Sequence, residues 1–454
     1  MKRSTDMTVG SPAPLILRLA IPLILTNLGQ QLYQVADAAI VGRSVGVSAF
    51  ASLGACDWLY WLVLWGVTAL TQGFSSVVAQ KFGSGDRTSF RKAICMCVLV
   101  CAAAGCILTG ICTCAAGPLL QLLRTEEAIF AGAKTYLTIM YGGTLIVLAY
   151  NMAGAILRAV GDGRTPLYAM CVAGFANIAL DLLFVTGLGW GIPGAAAATL
   201  LAQLLSFVYC LAVICRNPLF RMERGDFRPD GRTIAELCRM GIPQALSQCV
   251  TASGGIYAQS VINTFGYVVV AGCTAANKLH TFMDCSAVAL GFAVSTFVAQ
   301  NYGAKQMDRV RSGMRRGVVL ALALAVLIMT AVLCFGRQLV GLFLASDMEN
   351  AAAAMDVAHR YVRVLALCLP AAYLMNLYRY CLQGIGNTVA PMLSGACEMG
   401  ARVCAAAFLP PLFEQTGLFL MDGSAWAAAG IFQGIAFYVS LRRRQSRAPA
   451  GNIS

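Results

Sequence analysis

The chain has 454 residues, 59% of them hydrophobic and 12% charged, with a formal net charge of +13. A soluble domain carries roughly 25% charged residues, so this composition leaves too little polar surface for a soluble enzyme. A soluble protein this basic would suggest nucleic acid, but here the charge lies in short loops between apolar runs, and no nucleic-acid partner is expected.

Each apolar run is long enough to cross ~30 Å of hydrocarbon as a helix. The first predicted span, 15–42, carries Pro22 near its start, where a freed backbone carbonyl permits a bend. Gln30, Gln31, Tyr33, Gln34 and Asp37 follow in its far half. The second span, 49–79, opens on Trp58, Tyr60, Trp61 and Trp65. An interfacial aromatic belt and a cage for flat cations both fit those rings. The third, 93–120, holds four of the 19 cysteines, Cys95, Cys97, Cys101 and Cys106. With no CxxC facing a second CxxC or an HxxxH, these read as small packing residues, and no metal centre is expected.

The fourth span covers 130–157. The fifth, 166–186, carries Asn177 and Asp181, and the sixth, 193–215, carries Thr199. The longest polar stretch, 216–240, reads as a cytoplasmic linker between an N-lobe of residues 1–215 and a C-lobe of residues 241–454. The seventh span, 234–264, has no acidic residue in its apolar part. The eighth, 268–299, contains Lys278, His280 and Asp284. The last two share a helix face at i,i+4, as a proton relay, a substrate contact or a self-neutralising pair. The ninth and tenth spans are 317–344 and 357–383, the tenth with Arg379 near its cytoplasmic end, where it is expected to snorkel. The eleventh, 389–412, pairs Glu398 with Arg402 at i,i+4, and the twelfth covers 423–441. The fold expected is an all-α polytopic membrane protein of about 12 transmembrane helices.

Between these spans, 24 lysines and arginines fall in one set of alternating loops and at the termini. Only Arg43, Arg124, Lys134, Arg337 and Arg360 fall in the other set. The basic excess marks the cytoplasmic side, so both termini are expected inside and the span number even. The basic loops suit contact with the anionic headgroups of the bilayer.

The halves repeat. At an offset of 225, Tyr136 answers Tyr361, Asn151 answers Asn376, Gly161 answers Gly386 and Pro166 answers Pro391. At an offset of 220, Ser75 through Gln80 answer Ser295 through Gln300. Two parallel six-helix lobes suit alternating access. Ionisable groups inside a bilayer are functional candidates by default, and those of the first half have no repeat counterpart: Asp37 maps to Ala258, Asn177 to Arg402, Asp181 to Ala406 and Thr199 to Ala428. Asn177 and Asp181 share a helix face ~16 and ~22 Å from the cytoplasmic edge. Two carboxyls, an amide and a hydroxyl form an oxygen-rich set able to hold a shared proton or a hard monovalent cation such as Na+. Tyr33, Gln34, Lys278, His280 and Asp284 are the candidates for contact with substrate in a cavity.

These residues resemble the multidrug and toxic compound extrusion (MATE) transporters along nearly the whole chain. The resemblance rests on Leu19-Ala20-Ile21-Pro22, Val35-Ala36-Asp37 with Val41-Gly42, Val78-Ala79-Gln80, Leu157-Arg158-Ala159-Val160-Gly161-Asp162 with Thr165-Pro166, and Asn177-Ile178 with Leu180-Asp181. The Asn-x-x-x-Asp of the fifth span is similar to that of the branch containing the DNA-damage-inducible DinF proteins. The resemblance implies two pseudo-symmetric six-helix lobes forming a V, in the inner (plasma) membrane. It implies efflux of organic, lipophilic cations in exchange for H+ or Na+, with no cofactor and Asp37, Asn177, Asp181 and Thr199 as the cation site. A monomer is expected. A lipid-linked oligosaccharide flippase of related fold is the alternative, disfavoured by the acidic rather than basic first half. No HExxH, GxSxG or P-loop is present, so neither enzyme activity nor ATP drive is expected.

Overall fold

The structure, a computed structural model, describes residues 4–45, 47–123, 125–343 and 350–445. Arg124, the end of the predicted span 317–344, and Lys2, Arg3 and Arg447 among the basic residues of the termini lie outside the described residues. The helices are α1 (Pro12–Ser44), α2 (Val47–Gly83), α3 (Arg87–Leu122), α4 (Glu127–Gly142), α5 (Thr144–Ala159), α6 (Arg164–Asp181) and α7 (Gly191–Arg216). They continue as α8 (Gly231–Asn263), α9 (Tyr267–Gly303), α10 (Met307–Gly341), α11 (Ala351–Gly384), α12 (Val389–Phe419) and α13 (Met421–Gln445). Among the described residues there is no strand.

Ten of these helices are long and apolar enough to cross a membrane, and α4 with α5, bent by 47°, makes an eleventh span. The fourth predicted span is thus broken, at the Gly142–Gly143 pair, where helix propensity is lowest. At 33 residues α8 is also long enough to cross. Gln244, Ser247, Gln248, Thr251 and Ser253 make it less apolar than the rest. Pro22 does not interrupt α1, and the Thr26 hydroxyl donates to the Pro22 carbonyl at 2.8 Å.

The chain forms two compact units. One comprises Met1–Val9, Arg18–Ala245 and Gly303–Lys305; the other comprises Gly10–Leu17, Leu246–Tyr302 and Gln306–Ser454. In the first unit α2 packs on α4 and α5, and α6 on α7. In the second, α11 packs on α10 and α13, and α12 on α13. The polar stretch after α7 is fastened to α3: Arg91 pairs with Glu223 at 2.9 Å and Asp226 at 3.0 Å, and Phe220 lies 6.0 Å from Phe90. Asp86 caps α3, and hydrogen bonds from the Ser89 hydroxyl and amide and the Thr88 amide hold its carboxyl below the usual range.

The repeat marks turns and seams that are built twice. Gly161 has φ +75°, and a Cβ there would meet the Thr5 carbonyl oxygen at 2.6 Å. Asp162 Oδ1 then accepts from the Arg164 and Thr165 amides, both at 3.0 Å, and Pro166 sits in the first turn of α6. In the other unit Gly386 also has φ +75°, Asn387 Oδ1 accepts from the Ala390 amide at 3.2 Å, and Pro391 sits in the first turn of α12. Likewise Ser75 Oγ donates to the Ala155 carbonyl at 2.9 Å, and Ser295 Oγ to the Tyr380 carbonyl at 2.7 Å.

Candidate ion and substrate site

In the first unit α1 lies along α6 through small residues. A Cβ on Gly29 would overlap the Met170 side chain, and the Tyr33 ring rests over Gly174. Ser44 Oγ and Thr186 Oγ1 share a hydrogen bond of 3.2 Å. These pairs run in the same order along both helices, so α1 and α6 are parallel. Asp37 and Asp181 meet between the Tyr33–Gly174 and Ser44–Thr186 contacts, and Asp37 is the charged neighbour of Asp181. Among the described residues no lysine or arginine acts on Asp181.

Asp181 is fully buried and Asn177, one turn before it, is 1% exposed. Both carboxylate oxygens of Asp181 and both amide atoms of Asn177 lack a hydrogen-bond partner among the described residues. A buried polar atom left unsatisfied costs roughly 1–3 kcal/mol, so four on one helix face mark a place for a proton, an ion or water. The helix changes there too: α6 passes into a π-helical turn, Leu182–Gly187, directly after Asp181. Such widened turns recur at functional sites. Thr199 on α7 is half-buried, and its hydroxyl donates to the Ala195 carbonyl at 3.1 Å, which leaves its oxygen lone pairs unused.

Tyr33 faces Gln30, Tyr60, Tyr150 and Asp37, while Gln34 is half-buried off that face. Tyr60 stands beside the Gln203 amide, Tyr150 beside the Ser206 hydroxyl, and half-buried Arg158 near Tyr150. Tyr150, Arg158, Gln203 and Ser206 were not among the sequence-based candidates. Thr199, Gln203 and Ser206 fall at i, i+4 and i+7, so helical periodicity could have found that face. Of the α2 aromatics, Tyr60 turns inward, whereas Trp58 is 49% exposed and contacts Trp65 at 6.3 Å.

The second unit separates its candidates. Lys278 is exposed, whereas His280 and Asp284 are half-buried on another face of α9. Arg379 does not snorkel: it is 5% exposed and ion-paired with Glu398. Burial in protein supplies a carboxylate that lipid headgroups would otherwise replace. Glu398 also holds Arg402 at 3.1 Å, and Arg402 Nε reaches Asp422 at 2.9 Å.

Comparison with known proteins is consistent over the whole chain. The MatE family model matches twice, over residues 22–183 and 243–407, once in each half. The probable multidrug resistance protein YpnP of Bacillus subtilis is 29% identical over 317 residues, covering 68% of this chain and 69% of that protein. DNA damage-inducible protein F of Escherichia coli is 24% identical over 435 residues, covering 91% of this chain and 88% of that protein. The outward-facing structure of a multidrug resistance MATE family transporter of the MOP superfamily superposes with a TM-score of 0.90 at 21% identity, covering 98% of this chain and 99% of that one.

Proposed function

We propose that this chain, which belongs to the MATE family of multi-pass membrane transporters, exports organic, lipophilic cations in exchange for H+ or Na+ by alternating access. The exchanged ion is held at Asp37, Asn177, Asp181 and Thr199. The carrying observation is the pair of facing carboxyls beside four buried, unpartnered polar atoms of Asp181 and Asn177.

Two carboxylates cannot both stay ionised in a low-dielectric site without compensation. A shared proton compensates them, and so does Na+ bound through Asp181, the Asn177 carbonyl oxygen and the Thr199 hydroxyl. Loss of the ion restores the repulsion, so the site must refill before the next cycle. A ligand that binds well only to the ion-free form is thereby coupled to the ion, reciprocally and with the opposite sign. The basic loops orient the chain with both termini in the cytoplasm of the inner (plasma) membrane. The transporting unit is a monomer.

The test uses proteoliposomes with a fluorescent lipophilic cation, ethidium, and imposes pH and Na+ gradients separately. One gradient drives transport by the wild type, and Asp37→Asn and Asp181→Asn reduce it to the level of empty vesicles while both variants stay monodisperse. Gradient-driven transport by both variants at the wild-type rate overturns the assignment.

A further inference from the structure

We propose that the second unit carries a proton-binding site of its own, formed by His280 and Asp284 on α9. It is separate from Asp37 and Asp181. Three carboxylates, Asp284, Glu398 and Asp422, lie in one network with two guanidinium groups, Arg379 and Arg402. The guanidinium groups are committed elsewhere. Arg379 Nη2 donates to Glu398. Arg402 donates from Nε to Asp422 at 2.9 Å, from Nη2 to Glu398 at 3.1 Å and from Nη1 to the Thr251 carbonyl at 3.4 Å. Among the described residues Asp284 receives only the Asn376 amide, at 3.2 Å, and that same Nδ2 also donates to the Ala372 carbonyl at 3.2 Å. With His280 neutral the network carries one net negative charge inside a spanning helix, and such a charge requires compensation.

His280 lies one turn before Asp284 on the same face, and its buried Nε2 has no hydrogen-bond partner among the described residues. One proton taken by the pair brings the network to neutrality. The donors around Asp284 are an amide N–H and an imidazole, not the oxygen set that Na+ requires. Other charged or titratable groups around the pair come from α9 (Lys278, turned away, and Cys285), α11 (Tyr373, Arg379 and Tyr380), α12 (Glu398 and Arg402) and α13 (Asp422). Within the second unit, α8 supplies no charged residue.

Trp426 stacks on the His280 ring, with centroids 5.0 Å apart and planes 12° from parallel. Protonated imidazole quenches indole emission, so Trp426 reports the proton. The experiment titrates intrinsic fluorescence of the purified full-length protein. The wild type shows a reversible quenching on acidification that Trp426→Phe and His280→Gln both lose. Asp284→Asn changes that quenching, through loss of the anion that faces the imidazole. Asn376→Ala also shifts it, through loss of the amide that donates to the Asp284 carboxylate, and this variant serves should Asp284→Asn not fold.

Asp37→Asn abolishes transport yet leaves the quenching in place, so failure of the first site and failure of this one are distinguishable. The proposal is overturned by quenching that survives in His280→Gln, by an Asn376→Ala midpoint equal to wild type, by a midpoint that moves with Na+ at constant ionic strength, or by loss of quenching in folded Asp37→Asn.

Discussion

Asp37 and Asp181 face one another from two parallel helices, and among the described residues no basic side chain acts on Asp181. The Glu398 site of the second unit is the contrast, since two arginines share one carboxylate there. A built-in cation gives a fixed ion pair, whereas a site that lacks one must obtain its cation from solution. Asp181→Asn keeps the size of the side chain but removes the charge. Transport is expected to be lost while thermal stability rises, on the order of 1–3 kcal/mol. Thermal melts of both proteins check this, and equal melting rejects it.

Gly161 and Gly386 share φ +75° in the two copies of one turn. Alanine strains either backbone, typically by about 1–2 kcal/mol. At Gly161 the Cβ also meets the Thr5 carbonyl oxygen at 2.6 Å, and backbone cannot swing aside as a side chain can. Gly161→Ala is therefore expected to lower thermal stability measurably and to release residues before α1 to added protease. A melting curve unchanged from wild type counts against a turn that requires glycine.

The glycine and the proline of these turns stand out in the sequence because they repeat at a constant offset, Gly161 with Gly386 and Pro166 with Pro391, whereas the capping residue between them differs, Asp162 against Asn387. Apolar runs were equally legible, since nothing else fills the bilayer. The bend at Gly143 was not, because a glycine pair is compatible with both a continuous and a broken span. Arg379 was misread for another reason. Its place near a helix end suits snorkelling, and its partner Glu398 stands 19 residues later on another helix, a contact that no local spacing reveals. Asp37, Asn177 and Asp181 could be picked out by residue type and depth. The Gln203 and Ser206 face was overlooked because uncharged polar residues in a span draw less notice than carboxylates.

Ser75 and Ser295 make the same interhelical hydrogen bond in the two units. Each is buried, and each alanine variant is expected to cost about 1 kcal/mol. The two lie in separate units and share no partner, so the double variant should equal the sum of the singles within about 0.5 kcal/mol. Denaturation of the four proteins in a mild detergent reads this directly, and strong non-additivity signals that the paired bonds are coupled.

Arg379, Glu398, Arg402 and Asp422 behave as one object because Glu398 is held from two helices and Arg402 bridges two carboxylates. Removing one member leaves a buried charge without its partner. Arg379→Met is therefore expected to destabilise by about 3–5 kcal/mol, the range for breaking a buried pair. Glu398→Gln leaves Arg379 without its carboxylate and Arg402 with Asp422 alone, and should be no milder. The Arg379→Met/Glu398→Gln double variant still leaves Arg402 paired with Asp422 at 2.9 Å, so its loss should fall well short of the sum of the singles. A double-mutant cycle from thermal or denaturant melts measures that coupling, and additive losses would show that the arginine and the carboxylate act separately.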